Sequence, residues 1–177
     1  NQSATGLNNG FKWTDAFKEL TTALSYARER DTIKMASGTY KPGTTQASTF
    51  RMRDSVIIMG GYANTGNPTD ADRKYGVHQT ILSGEVGDPG YTTDNVSNII
   101  SGYPYPLEEI QCDNFIIDGV IIENSYGSAF YSYNVPRATI RNCVFRNNWG
   151  STDGSALLLE NTSLSIYNCY FFNNTFN

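Results

Sequence analysis

The sequence predicts an all-β solenoid of stacked parallel strands, closed at its N-terminal end by one α-helix. Three observations carry that reading. First, "TIRNCVFRNN" (139–148) returns as "SIYNCYFFNN" (165–174) with Ile140/Ile166, Asn142/Asn168, Cys143/Cys169, Phe145/Phe171, Asn147/Asn173 and Asn148/Asn174 identical. Second, aligning Ile117 with Ile140 and Ile166 brings Val120 onto Cys143 and Cys169, Ile122 onto Phe145 and Phe171, and Asn124 onto Asn147 and Asn173, at spacings of 23 and 26 residues. A β-rich period of that length marks units too short to bury their own apolar face, which stack to make a core. Third, helical periodicity ends at Asp31. Beyond it come short apolar runs separated by Gly, Asn, Asp and Pro.

The helix is expected over 13–30, in "WTDAFKELTTALSYARERD". Ala16, Phe17, Leu20, Ala23, Leu24 and Ala27 form one stripe, Thr14 is the expected N-cap, and Arg28 and Arg30 suit the C-terminal end. Strands are expected in 32–36, 55–62, 79–84, 114–124, 138–148 and 164–174. No tight Asn-Gly hairpin joins neighbouring runs, so each strand is expected to pair in parallel with its equivalent one coil on. Asn124, Asn142, Asn147, Asn168 and Asn173 then sit at corners, where Asn tolerates the left-handed backbone. Asn142/Asn168 and Asn124/Asn147/Asn173 are the expected side-chain ladders.

Composition narrows the function. The chain has 177 residues and a net charge of −4, so no broad basic field draws nucleic acid. A single histidine, His78, excludes a multi-histidine metal site and is expected in a surface turn. No run approaches the roughly 18 apolar residues of a membrane span. Of three cysteines, Cys112, Cys143 and Cys169, the last two are expected to stack inward as thiols, their pairing left open. The glycosylation sequons at Asn95, Asn161 and Asn173 are expected by chance in an Asn-rich chain. Residues 1–177 read as one domain, the first part of a longer mature protein.

The order of motifs resembles a family of secreted right-handed parallel β-helix proteins common in Bacteroidetes-type bacteria. The resemblance rests on Trp13, Asp31, Ile33, Met35, Ala36, Gly38, Thr39, Tyr40 and Pro42, then "SVIIMGGY" (55–62), then Thr80, Leu82, Ser83 and Gly84. Arg30 and Ser55 stand where that family has Gly. "FRNN" and "FFNN", with "GSAL" (154–157), are similar to repeats of chlamydial polymorphic membrane proteins. The resemblance implies a pectin-lyase-like, exported solenoid, often part of a large surface protein. It does not fix an activity.

Polysaccharide lyases of that fold use carboxylates beside an Arg or Lys base. The candidates here are Asp118 with Arg141 and Glu123 with Arg146, equivalent positions on adjacent coils. The leading reading makes both pairs cross-strand ion pairs. Glu85, Asp88 and Asp94, beside Asn95 in the loop 83–98, carry oxygen ligands of the kind calcium takes, although their spacing matches no EF-hand loop. Tyr103, Tyr131 and Tyr133 are candidate sugar-stacking residues, with Tyr131 and Tyr133 on one strand face that is equally a core face.

The expected function is a non-catalytic extracellular or cell-surface scaffold or adhesin module without a cofactor. The alternatives are the N-terminal part of a polysaccharide lyase or hydrolase, and a glycan-binding module. Expected partners are the remainder of the chain or another copy stacked end-on, and polysaccharide or host glycan.

Overall fold

The computed structural model describes residues 1–103, 112–150 and 154–176. Its strands wind in five successive coils. The first coil holds β1 (Thr32–Ala36), β2 (Gly38–Tyr40) and β3 (Phe50–Arg51). The second holds β4 (Ile57–Tyr62), β5 (Thr80–Ser83) and β6 (Ile100–Gly102). The third holds β7 (Phe115–Asp118), β8 (Ile121–Glu123) and β9 (Phe130–Tyr133). The fourth holds β10 (Ala138–Arg141), β11 (Val144–Arg146), β12 (Trp149–Gly150) and β13 (Leu157–Glu160). The fifth holds β14 (Leu164–Tyr167), β15 (Tyr170–Phe172) and β16 (Thr175–Phe176). Each strand pairs in parallel with its equivalent in the next coil. The result is three long sheets, β1-β4-β7-β10-β14, β2-β5-β8-β11-β15 and β3-β6-β9-β13, with a short β12-β16 pair. The chain is a right-handed parallel β-helix, its parallel stacking as the repeat predicts and its hand as the resemblance implies.

The register is the one the sequence alignment requires. Ile33, Ile58, Ile117, Ile140 and Ile166 stack in one column, and Leu82, Ile122, Phe145 and Phe171 in another. Phe50, Ile100 and Phe130 make a third column, all fully buried. Each such side chain contributes roughly 1.5–3 kcal/mol of apolar burial. The rings of Phe145 and Phe171 lie 5.0 Å apart and nearly parallel.

Asparagine makes the corners. Asn124, Asn134, Asn142, Asn147, Asn161, Asn168 and Asn173 all have positive φ, between 47° and 65°. The Asn142/Asn168 ladder forms, with Asn168 Nδ2 donating to Asn142 Oδ1 at 2.8 Å. At the other corner the bonded pair is one residue further on than expected: Asn148 Nδ2 donates to Asn174 Oδ1 at 2.9 Å. Asn147 and Asn173 make the turn, while buried Asn148 also takes the Ser125 N–H and reaches the Ile122 carbonyl.

The cap differs from expectation. Its helix, α1, covers only Leu20–Tyr26, not 13–30, and Thr14 does not cap it. Residues 13–18 are held instead by the segment before them. Gly6 N–H donates to the Thr14 carbonyl, Asn9 and Gly10 N–H to the Asp15 carbonyl, and the Asn1 ammonium to the Phe17 carbonyl. Those carbonyls are therefore taken from the helical ladder. Trp13 points away, its indole N–H on the Pro68 carbonyl and its ring against Tyr62. Leu20, Leu24 and Ala27 still cover the first coil, as the apolar stripe predicts.

At the opposite end no helix lies among residues 154–176, and the inward columns finish exposed: Leu159, Ile166 and Phe171 are each 40–44% accessible.

Arg30 and Ser55 both occupy the left-handed region, with φ of 71° and 55°. Side chains with a Cβ cost about 1–2 kcal/mol there, partly offset in glycine by its greater loss of freedom on folding. Arg30→Gly and Ser55→Gly are each expected to raise stability by about 0.5–1 kcal/mol. Urea unfolding checks this; an unchanged or lower midpoint contradicts it.

Candidate functional site

On the outer face of the first sheet, Lys34, Met59, Asp118, Arg141 and Tyr167 stand in one row, coil by coil. Strand alternation puts them outward because Ile33, Ile58, Ile117 and Ile140 face the core. Asp118 is nonetheless buried, its side chain only 2% accessible. Arg73, from the excursion between β4 and β5, lies over it with a two-pronged contact of 2.8 and 3.1 Å. Arg141 Nε donates to the same carboxylate at 2.8 Å, and Asn142 Nδ2 does so at 2.8 Å. Arg73 also bonds the backbone carbonyls of Asp118 and Gly60 and sits against the rings of Tyr62 and Tyr75. Burial by itself pushes the Asp118 carboxyl up. The donors from Arg73, Asn142 and Arg141 outweigh it and hold the group below the usual carboxylate range.

The sequence foretold Asp118 with Arg141 but missed Arg73, 45 residues away in a stretch with no period. One trace was present. Gly119 stands where later coils have Asn142 and Asn168, and a Cβ there would overlap the Arg73 guanidinium.

The second sheet repeats the theme more simply. Arg146 Nε meets Glu123 Oε2 at 2.6 Å across the β8–β11 pair, with both side chains mostly covered. All four candidate acid–base residues are thus engaged in coil-to-coil ion pairs.

The third sheet differs. Phe130 and Ser132 are buried, so Tyr131 and Tyr133 point outward; the core alternative for them is corrected by strand alternation. Arg51, Ser101, Tyr131 and Leu158 share one outward row, and Tyr133 and Glu160 the next. Arg51 donates to the Tyr103 hydroxyl at 2.7 Å with its guanidinium 4.9 Å from the ring centre. The Tyr103 and Tyr131 rings are 6.3 Å apart. Burial, and then Glu160 beside it, raise the Tyr131 phenol. The hydroxyl of Ser101, between Arg51 and Tyr131, is buried without a partner among the described residues. Arg51 was not foreseen, since only its register beside Ser101 places it on this face. Residues 104–106 of "SGYPYP" lie outside the described residues.

In the loop 83–98, Asp94 Oδ2 accepts the Asp88 N–H at 2.7 Å, and buried Asn95 accepts the Val86 N–H at 3.2 Å. These contacts fasten the loop on itself. Glu85 Oε1 and Asp94 Oδ1 are buried without partners among the described residues. Among the described residues no group of three or more His, Cys, Asp or Glu is placed to hold a metal ion. His78 lies half-exposed in a bend before β5. No helix among the described residues is long and apolar enough to cross a membrane. A cavity of about 890 Å³, which the sequence did not signal, lies at the cap between α1, residues 8–13 and β1, with Trp13, Phe17, Tyr26 and Met35 in its walls.

Residues 90–177 match a family model described as a right handed beta helix region. No curated protein and no solved structure matches the chain.

Asp118→Asn leaves Arg73 and Arg141 facing a neutral group. Removing one partner of a buried pair costs about 3–5 kcal/mol, and the half-exposed Arg141 puts the expected loss near the lower figure. The pH sign follows from the lowered carboxyl. Its stabilisation is complete above the ordinary Asp value of about 3.9 and fades as pH falls through that value toward the lower folded one. Urea unfolding from pH 7 to pH 2.5 should show an acid-side loss in the parent that is smaller in Asp118→Asn. Parallel losses in both proteins would contradict the assignment.

Proposed function

We propose that this right-handed parallel β-helix is a non-catalytic scaffold module of an exported or cell-surface protein, of the kind from which adhesins are built. One observation carries the reading: the carboxylates best placed for acid–base work are each engaged by cations of neighbouring coils or excursions. Asp118 accepts from two guanidiniums and an amide, and Glu123 from Arg146. The four donors on Asp118 fill its acceptor positions, so that carboxylate has no lone pair free to take a proton.

The outer face of the third sheet favours a second role within the scaffold, as a glycan-binding surface. Tyr103, Tyr131 and Tyr133 present rings outward beside Arg51 and Glu160. An electron-rich ring face meets the C–H face of a sugar, and flanking charged groups take its hydroxyls.

Incubation with acidic polysaccharides such as polygalacturonate is expected to release no unsaturated product absorbing in the ultraviolet. Such a release, lost in Arg141→Ala, would overturn the non-catalytic reading in favour of a lyase. On a glycan array, bound spots are expected to be lost in Tyr131→Ala and weakened in Tyr103→Ala. Binding unchanged in both variants would remove the third sheet from consideration.

A further inference from the structure

The turn between the first two sheets holds a pair of groups that neither the ion pairs nor the aromatic face uses. Cys143 and Cys169 occupy the same corner in successive coils, each directly after an asparagine of positive φ. The strands on both sides are in register, Arg141 with Tyr167 and Val144 with Tyr170. The corner itself is tied across the coils: Asn142 N–H donates to the Tyr167 carbonyl at 3.0 Å, and Tyr170 N–H to the Cys143 carbonyl at 2.9 Å. In-register parallel strands lie about 4.8 Å apart, inside the Cα separation of about 4.4–6.8 Å that disulfides span.

The two thiols are free and equivalently placed, the Cys143 sulfur 3.1 Å from the Arg141 carbonyl and the Cys169 sulfur 3.2 Å from the Tyr167 carbonyl one coil on. The neighbouring Cys143 lowers the Cys169 thiol to about 7, while burial pushes the Cys143 thiol up. Cys143 is sealed from solvent; Cys169 is half-buried. The third cysteine, Cys112, is buried elsewhere, its sulfur 3.6 Å from the Met52 carbonyl.

We propose that Cys143 and Cys169 form a dithiol that closes to a disulfide between the fourth and fifth coils, with a low-molecular-weight or protein disulfide as oxidant. Cys169, as the thiolate, attacks one sulfur of the oxidant R–S–S–R. It forms the mixed disulfide Cys169–S–S–R and releases RS⁻. Cys143 gives its proton to that RS⁻ and attacks the Cys169 sulfur, forming the Cys143–Cys169 bond and expelling the second RS⁻, which takes the proton Cys169 had lost. Two protein thiols are oxidised and one disulfide is reduced to two RSH. The bond adds a covalent tie to the backbone pairing of the fourth and fifth coils.

The test incubates the folded protein with oxidised glutathione, blocks remaining thiols with iodoacetamide and digests with trypsin without reduction. Cleavage after Arg141 and Arg146 isolates Asn142–Arg146, which is expected joined to the peptide beginning at Asn147 and two hydrogens lighter than the sum of the two. The oxidised protein is expected to melt several degrees higher, the gain vanishing with dithiothreitol and absent in Cys169→Ala. The peptide map needs no variant, so it stands if Cys169→Ala fails to fold. Full alkylation of both residues, a reaction that stops at a Cys169–glutathione adduct, or a link to Cys112 would each overturn the proposal.

Discussion

The in-register parallel pairing of each coil with the next is the interaction on which everything else depends. No coil encloses enough apolar surface to fold alone. What makes the core is the superposition of like on like: Ile117 beneath Ile140 beneath Ile166, and Ile122 beneath Phe145 beneath Phe171. A slip of one residue would turn every inward side chain to solvent, so the register is fixed with great force. The second consequence is geometric. Every outward residue has its closest neighbours in the coils before and after it, whatever the chain does in between. That is how the structure absorbs the long excursions after β4 and β5 without disturbing its sheets.

The corners are the price of that stacking, and asparagine meets it. Turning within one or two residues needs a left-handed backbone, which Asn adopts at less cost than other side chains carrying a Cβ. Seven Asn residues between 124 and 173 do so, and the recurrence of Asn in the sequence was legible for this physical reason. Arg30 and Ser55 make an equivalent turn without that help. The sequence comparison marked them only as departures from glycine; the backbone angle supplies the reason glycine is favoured there.

What was legible, and what was not, divides along the same line. Residues governed by the coil period could be placed: the Ile columns, the Asn corners, the stacked cysteines, Asp118 against Arg141 and Glu123 against Arg146. Residues outside the period could not. Arg73 reaches Asp118 from an excursion, and the N-terminal segment takes the Thr14, Asp15 and Phe17 carbonyls that a longer helix would have used. A helical stripe reports which residues meet the core. It says nothing about a distant donor competing for the backbone, so the apolar face of α1 was right and its length was not.

Stacking also decides where a functional face can arise. Two like charges at the coil spacing of about 4.8 Å repel by about 1 kcal/mol in water and about 3–4 kcal/mol near a protein surface, so a charged column is stable only when signs alternate. Alternation brings each acid onto a base and spends the chemistry of both, as on the first two sheets. Aromatic rings escape this constraint. Neighbouring rings attract at that spacing without neutralising one another, and each keeps an edge or face for a ligand. The outward side of the third sheet, where Tyr103 and Tyr131 adjoin and Tyr133 stands next to Glu160, is such a place among the described residues, where stacking leaves ring faces and edges uncommitted.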